Sequence, residues 1–354
     1  MKSLNNKNSE FNFIRRLTSG RYNSRNDILT GIGDDAAVVQ GHADRCYLFT
    51  CDAQVEGRHF FKGADGYGVG RRLASVNLSD IAAMGGTPLY ALSSLFVPDE
   101  YKSGDFLNAV YDGLYDKLAC HGAAVVGGNV SGSDQVLAMD LFLVGDILKS
   151  QVLNRSDAVS GQLVCVTGTI GDSAAGFKIL SDNSIKQFVQ SDGVEFVKAS
   201  DFLIDRHINP TARIDAGQII ASSGFAGACI DISDGLVQDA SHIAKASRVN
   251  ICINQFDVPL SKEYKLCSNI IDDTLFLHGG EDYELLFTVN EKAFETLKER
   301  IFNSTGVMIF AIGKVCKNSN EHTNSVAVYD KSGNQLNLFD SGFDHFKSED
   351  SGKI

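Results

Sequence analysis

Five times in this chain an apolar run of strand or helix character stops at acidic residues set beside glycines or small residues. The first case is "GIGDDAAVV" (31–39), where Asp34 and Asp35 interrupt a segment that otherwise reads as a strand. Carboxylates are depleted in strands and costly to bury unpaired, so this placement needs a physical reason. It recurs in "FTCDAQVEGRHF" (49–60), "SVNLSDIAAMGG" (75–86), "CIDISDGLVQD" (229–239) and "HGGEDYELLF" (278–287). Taken singly, each has an ordinary reading: Ser233 or Asp234 as a helix cap, Asp80 as a solvated helical residue, Asp34 and Asp35 as a turn. Taken together, acids at the ends of apolar segments in both halves fit Mg²⁺, which takes a few carboxylates alongside phosphate oxygens and water. Such an array can hold several magnesium ions around a polyphosphate.

Between these stretches strand and helix patterns alternate. The sequence predicts a short helix over 10–18, strands at 36–40, 46–51 and 90–97, and a helix over 67–84. A second helix at 104–121 and strands at 123–127 and 136–146 complete a first α/β unit. The polar stretch "KSQVLNRSDAVSG" (149–161) is the expected boundary, giving domains 1–150 and 151–354. The second unit restarts with "LVCVTG" (163–168), followed by helices at 171–182, 191–205 and 211–223. The strand 226–231, a helix at 233–245 and the strand 249–254 come next. An apolar strand after "GGEDY", a helix at 291–302 and strands near 307–315 and 325–330 close it.

With 354 residues, two domains are the natural expectation. A net charge of −12 without a Lys/Arg block disfavours nucleic acid and anionic membrane as partners. The eight cysteines form no C-x-x-C and mostly sit in apolar runs, so they read as reduced thiols rather than disulfides or a zinc site. No signal-like core and no membrane-length apolar run occurs, which points to the cytoplasm. The usual phosphate motifs are missing: in "GTIGDSAAGFK" (168–178) Phe177 stands where a P-loop needs lysine. No G-x-G-x-x-G follows a strand, and neither kinase H-R-D nor D-F-G is present.

The ordered set "GIGDDAAV", "CDAQVEGRHF", "VNLSDIAAMGGTP", "VVGGN", "RSDAVSG", "VTGTIGDSAAG", "DISDGL", "GGEDYELLF" and "GFDHF" (342–346) resembles the thiamine-monophosphate kinase family. That family belongs to an ATP-binding superfamily with aminoimidazole ribonucleotide synthetase and selenophosphate synthetase. The resemblance implies a two-domain α/β (α+β) fold of the aminoimidazole ribonucleotide synthetase type, whose N-terminal mixed sheet pairs with a second copy into a homodimer barrel. It implies direct transfer of the ATP γ-phosphoryl to thiamine phosphate, giving thiamine diphosphate and ADP, with several Mg²⁺ ions. By resemblance Asp34, Thr50, Cys51, Asp52, Asp80, Asn129, Asp231 and Asp234 fall on metal positions. Gly128, Asn129, Arg155 and Ser233 fall on ATP positions, and His59, Glu281 and Phe343 on substrate positions. Asp52, Asp80 and Arg155 would act closest to the transferred group. Rival readings are a selenophosphate synthetase-like enzyme, for which no cysteine precedes Cys46, and an inactive nucleotide-binding homologue.

Two departures from the family pattern stand out. Asn129 replaces the aspartate of a Gly-Gly-Asp, and Cys51 replaces a hydroxyl residue at a magnesium position. A thiol matches Mg²⁺ poorly, so the expected ligand at Cys51 is its backbone carbonyl.

Overall fold

The structure is a computed structural model and describes residues 10–19, 25–191, 193–317 and 324–336. Two six-stranded mixed sheets organise it. The first contains β1 (Ile28–Thr30), β2 (Ala37–Gln40), β3 (Arg45–Val55), β4 (Thr87–Val97), β5 (Ala124–Gly132) and β6 (Ala138–Leu148), in the order β1-β2-β3-β6-β4-β5. All its pairings are antiparallel except β4 with β5. The second contains β7 (Leu163–Thr167), β8 (Ala226–Asp231), β9 (Asn250–Asn254), β10 (Leu285–Val289), β11 (Ile309–Cys316) and β12 (Val326–Tyr329), in the order β12-β9-β11-β7-β10-β8. There only β12 with β9 is parallel.

Alternation along the strands decides what each face meets. In β6 every second residue, including Met139, Leu141 and Leu143, is buried, while Asp140, Phe142 and Val144 between them are part-exposed. The buried face of the first sheet packs on α2 (Gly66–Ala83), which crosses α3 (Phe106–Ala119) closely. A Cβ on Gly70 would lie 1.8 Å from the Val110 carbonyl oxygen, and one on Gly113 would lie 2.0 Å from that of Tyr67. Only glycine lets the two backbones approach this far.

The same core continues through α7 (Ile214–Ser223) and α11 (Phe294–Thr305) to one face of the second sheet, through Cys165, Cys229 and Phe287. The other face of that sheet packs Val164, Val166, Ile230 and Leu286 on α4 (Asp172–Ser181), α6 (Val194–Ile208) and α8 (Leu236–Ser247). The outer face of the first sheet has no covering layer among the described residues, and Tyr47, Tyr90, Leu92 and Phe96 are exposed on it.

The expected strands and long helices are present within a few residues of their expected limits. Sequence reading did not anticipate the short β1, nor α5 (Asn183–Ser191), α9 (Lys262–Cys267) and the single-turn α10 (Leu275–His278). α1 (Glu10–Thr18) matches its expectation. Among the described residues no helix is long and apolar enough to cross a membrane.

Candidate active site

The acids gather where the C-terminal half of β3, the polar side of α2 and the C-terminal end of β8 meet. Asp34, Thr50, Asp52, His59, Asp80, Arg155, Asp231, Ser233, Asp234 and Glu281 line one cleft, with Asp35, Cys51, Gln54 and Tyr283. Strand alternation turns Thr50, Asp52 and Gln54 of β3 to the α2 side. Helical spacing puts Asn77 and Asp80 of α2 opposite them. The Asn77 side-chain Oδ1 accepts the Asp52 backbone N–H at 2.9 Å, and the Thr50 hydroxyl donates to Asp80.

Carboxylate oxygens of Asp35, Asp80 and Asp231, drawn from three separate elements, all lie within 4.8 Å of one another. Burial, then the negative charges of Asp52, Asp231 and Asp35, push Asp80 well above the usual carboxylate range. Burial, then Asp35, do the same to Asp231, although the Ser79 hydroxyl donates to it at 2.6 Å. Asp34 is raised by burial and then by Asp35.

The principal cation among them is Arg155. Its Nη2 and Nε donate to the two Asp35 oxygens at 2.7 and 3.1 Å, and its backbone N–H donates to Asp34 at 3.2 Å. Burial works against the Arg155 charge, but Asp35 and Asp34 more than offset it. The site therefore concentrates negative charge around one arginine, in a setting where repulsion falls as soon as a divalent cation enters. The facing side-chain donors of Asp35, Asp80, Asp231 and Thr50 are hard oxygens, which suits Mg²⁺.

The loop after α10 distributes its acids in three directions. Glu281 and Tyr283 both have left-handed backbone, with φ of 69° and 52°, uncommon for non-glycine residues. Their backbone N–H groups bond the carbonyls of Ser233 and Ile232 at 2.8 and 2.9 Å, which fixes the loop against the end of β8. Glu281 turns to the cleft and pairs with Arg72, which is 3% exposed and also bonds Gln54 and the His207 carbonyl. Burial opposes the charge of Glu281, while Arg72 and then His207 hold its pKa below the usual range. Asp282 accepts the backbone N–H groups of Gly171 and Ser173 at 2.6 and 3.0 Å, at the start of α4. Glu284 enters the core and takes Arg213, Arg206 and Thr167 as partners.

Several expected residues differ from a simple cleft lining. The Cys51 thiol alternates to the opposite face of the sheet, where burial and then Asp140 raise its pKa, so only its backbone borders the cleft. Gly128 and Asn129 lie on β5, the outermost strand, with β6 and β4 between them and β3. Asn129 pairs with Ser94, which pairs with Asp140, so its side chain belongs to the outer face. A Cβ on Gly128 would lie 1.9 Å from the Ser93 carbonyl oxygen, a packing reason for glycine there. His59 accepts the Val55 backbone N–H on Nδ1 at 3.0 Å. Phe343 lies outside the described residues.

Sequence reading placed Asp34 but not Asp35 on a metal position and assigned no role to Arg72, His207 or Asp239. Asp239 accepts the backbone N–H groups of Asp234 and Gly235 at 3.1 and 3.0 Å and shapes the turn that carries Asp234. The available signal for Arg72 was the pair Arg71-Arg72 in an otherwise small and apolar helix stretch, which does not say which of the two turns inward.

A family model described as AIR synthase related protein, N-terminal domain, matches residues 33–147. The thiamine-monophosphate kinase of Aquifex aeolicus (strain VF5) is 39% identical over 262 residues, covering 73% of this chain and 80% of the relative. That of Escherichia coli (strain K12) is 33% identical over 341 residues, covering 95% and 98%. The solved structure of AaThiL complexed with AMPPCP and TMP superposes with a TM-score of 0.78 at 32% identity, covering 98% of this chain and 99% of that one. With identities above 30% sustained over nearly the full length of both chains, this protein belongs to the thiamine-monophosphate kinase family.

Proposed function

We propose that this protein transfers the γ-phosphoryl group of ATP to the phosphate of thiamine monophosphate, forming thiamine diphosphate and ADP. The observation that carries this reading is the meeting of Asp34, Asp35, Asp52, Asp80, Asp231 and Asp234 with Arg155 in one cleft. A phosphate oxygen of the acceptor is already ionised, so the reaction needs no general base. Its obstacle is the approach of two anions, and relief of that repulsion is the main contribution required of the protein.

In this reading Asp34, Thr50, Asp52, Asp80, Asp231 and Asp234, with the Cys51 carbonyl, hold Mg²⁺. When bound, the ions neutralise charge on the transferring phosphates. Arg155, fixed by its two bonds to Asp35, presents positive charge to the polyphosphate. Ser233 sits beside it as an ATP contact, and Glu281, held by Arg72, and His59 orient thiamine phosphate. Phe343 stacks on the thiamine rings. Domains 1–150 and 151–354 supply the two walls of the cleft, and the enzyme works in the cytoplasm.

The test is incubation of purified protein with ATP, Mg²⁺ and thiamine monophosphate. Thiamine diphosphate and ADP appearing one for one support the assignment. ADP with free phosphate and no thiamine diphosphate overturns it.

We further propose a homodimer built on the outer face of the first sheet. There Tyr90 and Leu92 are 54% and 44% exposed, Phe49 and Phe142 stack at 5.9 Å, and β5 leaves an edge unpaired among the described residues. Gly128 and Asn129 lie on this strand, so their part in nucleotide and metal binding runs through the subunit interface. Leu92→Glu is then expected to give a monomer by light scattering that needs severalfold more Mg²⁺ for half-maximal activity. A variant that stays dimeric, or a monomer with an unchanged magnesium midpoint, contradicts this arrangement.

A further inference from the structure

Of the eight cysteines, Cys46, Cys165, Cys229 and Cys267 are buried, whereas Cys51 and Cys120 are exposed on separate elements. Cys252 on β9 and Cys316 at the end of β11 differ from the rest, because their sulfurs lie only 2.9 Å apart. The ladder explains the proximity. Cys252 stands opposite Lys314 and Cys316 opposite Asn250, so the two cysteines are diagonal neighbours on the same face of adjacent antiparallel strands. Ile251, Ile253 and Val315 between them point to the other, packed face and are at most 2% exposed. Cys252 and Cys316 are both half-buried, so a small oxidant reaches them. The Tyr329 hydroxyl of β12 hydrogen-bonds Cys252 from the other side.

We propose that Cys252 and Cys316 form a reversible dithiol–disulfide site that joins β9 to β11. A sulfur–sulfur bond of about 2.05 Å requires the two atoms to close by roughly 0.9 Å, a short approach of two sulfurs already held side by side. With hydrogen peroxide, the thiolate of one of the two cysteines takes one oxygen, becomes a sulfenic acid and releases hydroxide. The sulfur of the other cysteine then attacks it, the S–S bond forms, and the sulfenic oxygen leaves as water with the second thiol's proton. In sum, two thiols and one peroxide give one disulfide and two waters, and a dithiol reductant reverses the step.

The order β12-β9-β11-β7-β10-β8 puts this pair towards the edge of the sheet opposite β8, which carries Asp231. The crosslink therefore stiffens the second sheet without entering the acidic cleft. Closing a long loop is expected to raise the thermal midpoint by about 5 °C. Turnover is expected to stay within about twofold, since neither sulfur lies among the residues assigned to substrate or metal.

The experiment oxidises the full-length protein with a slight excess of hydrogen peroxide, unfolds it, alkylates all remaining thiols and maps the peptides without reduction. The expected result is one crosslinked pair, Cys252 with Cys316, with the other six cysteines alkylated. Treatment with dithiothreitol should restore both thiols, and Cys316→Ser should leave Cys252 alkylated with no crosslink. Recovery of both cysteines as alkylated thiols while Cys51 or Cys120 is oxidised overturns the proposal. So does Cys316 accumulating as a sulfinic acid, because a competent resolving thiol prevents that product.

Discussion

Asp231 and Glu284 are buried carboxylates one ladder position apart, on opposite faces of the second sheet: Asp231 ends β8 opposite Leu285, the residue that follows Glu284. Their electrostatics are opposed. Glu284 faces two arginines and a threonine hydroxyl, and although burial resists its charge, Arg213 and then Arg206 lower its pKa. Asp231 has one serine hydroxyl and is crowded by other acids, so burial and Asp35 raise it. One carboxylate is complete within the protein. The other is left crowded by acids, which is the environment its proposed metal role requires, and this separates the two more clearly than burial does.

Removing the charge should therefore act with opposite sign at the two sites. Glu284→Gln strands Arg213 without its counter-charge and leaves Arg206 only Asp172 at 4.0 Å, and the expected loss is about 3–5 kcal/mol, read from urea unfolding. A loss under ~1 kcal/mol would erase the contrast.

His207 sharpens the comparison through pH. It is 6% exposed, and burial, then Arg72, lower its pKa to about 4. An unfolded histidine binds its proton near 6.5, so between about pH 6.5 and 4 the unfolded chain holds more protons and stability falls as pH falls. His207→Gln should flatten that slope by up to about 3 kcal/mol across the window. A denaturant midpoint measured every half unit of pH checks this, and identical slopes for both proteins would contradict it.

Asp231→Asn is the counterpart of the Glu284 change. It keeps an acceptor for Ser79 and removes one crowded charge, so stability without metal should rise by about 1–2 kcal/mol. Activity should fall by at least about 100-fold. Lower stability together with retained turnover would return Asp231 to the structural class.

Much of this was legible in the chain because it depends on local pattern. Apolar runs located the strands, and the break at 149–161 separates the last strand of the first sheet, β6, from the first of the second, β7. The acids at strand ends mark the cleft in the sequence itself, since a carboxylate in such a place needs a partner. What was not legible depends on partners distant in sequence. "GGEDYELLF" does not reveal that Glu281, Asp282 and Glu284 point to a cleft, a helix start and a core, because the left-handed backbone at Glu281 and Tyr283 decides this. Arg72 finds Glu281 from 209 positions away. Asn129 sits beside glycines in the expected motif, yet the strand order carries it to the sheet edge, a property of pairing that no short motif encodes. The short helices α9 and α10 lack enough turns to give a clear period.

Under the proposed function the cleft acids repel one another until metal and nucleotide bind. The most direct measurement compares the thermal midpoints of wild type and Asp80→Asn, first in EDTA and then in saturating Mg²⁺ with AMPPCP. In EDTA the variant should melt higher, because it removes one of the crowded charges around Asp35 and Asp231. In Mg²⁺ and AMPPCP the wild type should gain about 2 kcal/mol or more and overtake it, while the variant gains little. A variant that melts below wild type in EDTA and rises equally with ligand would contradict the account.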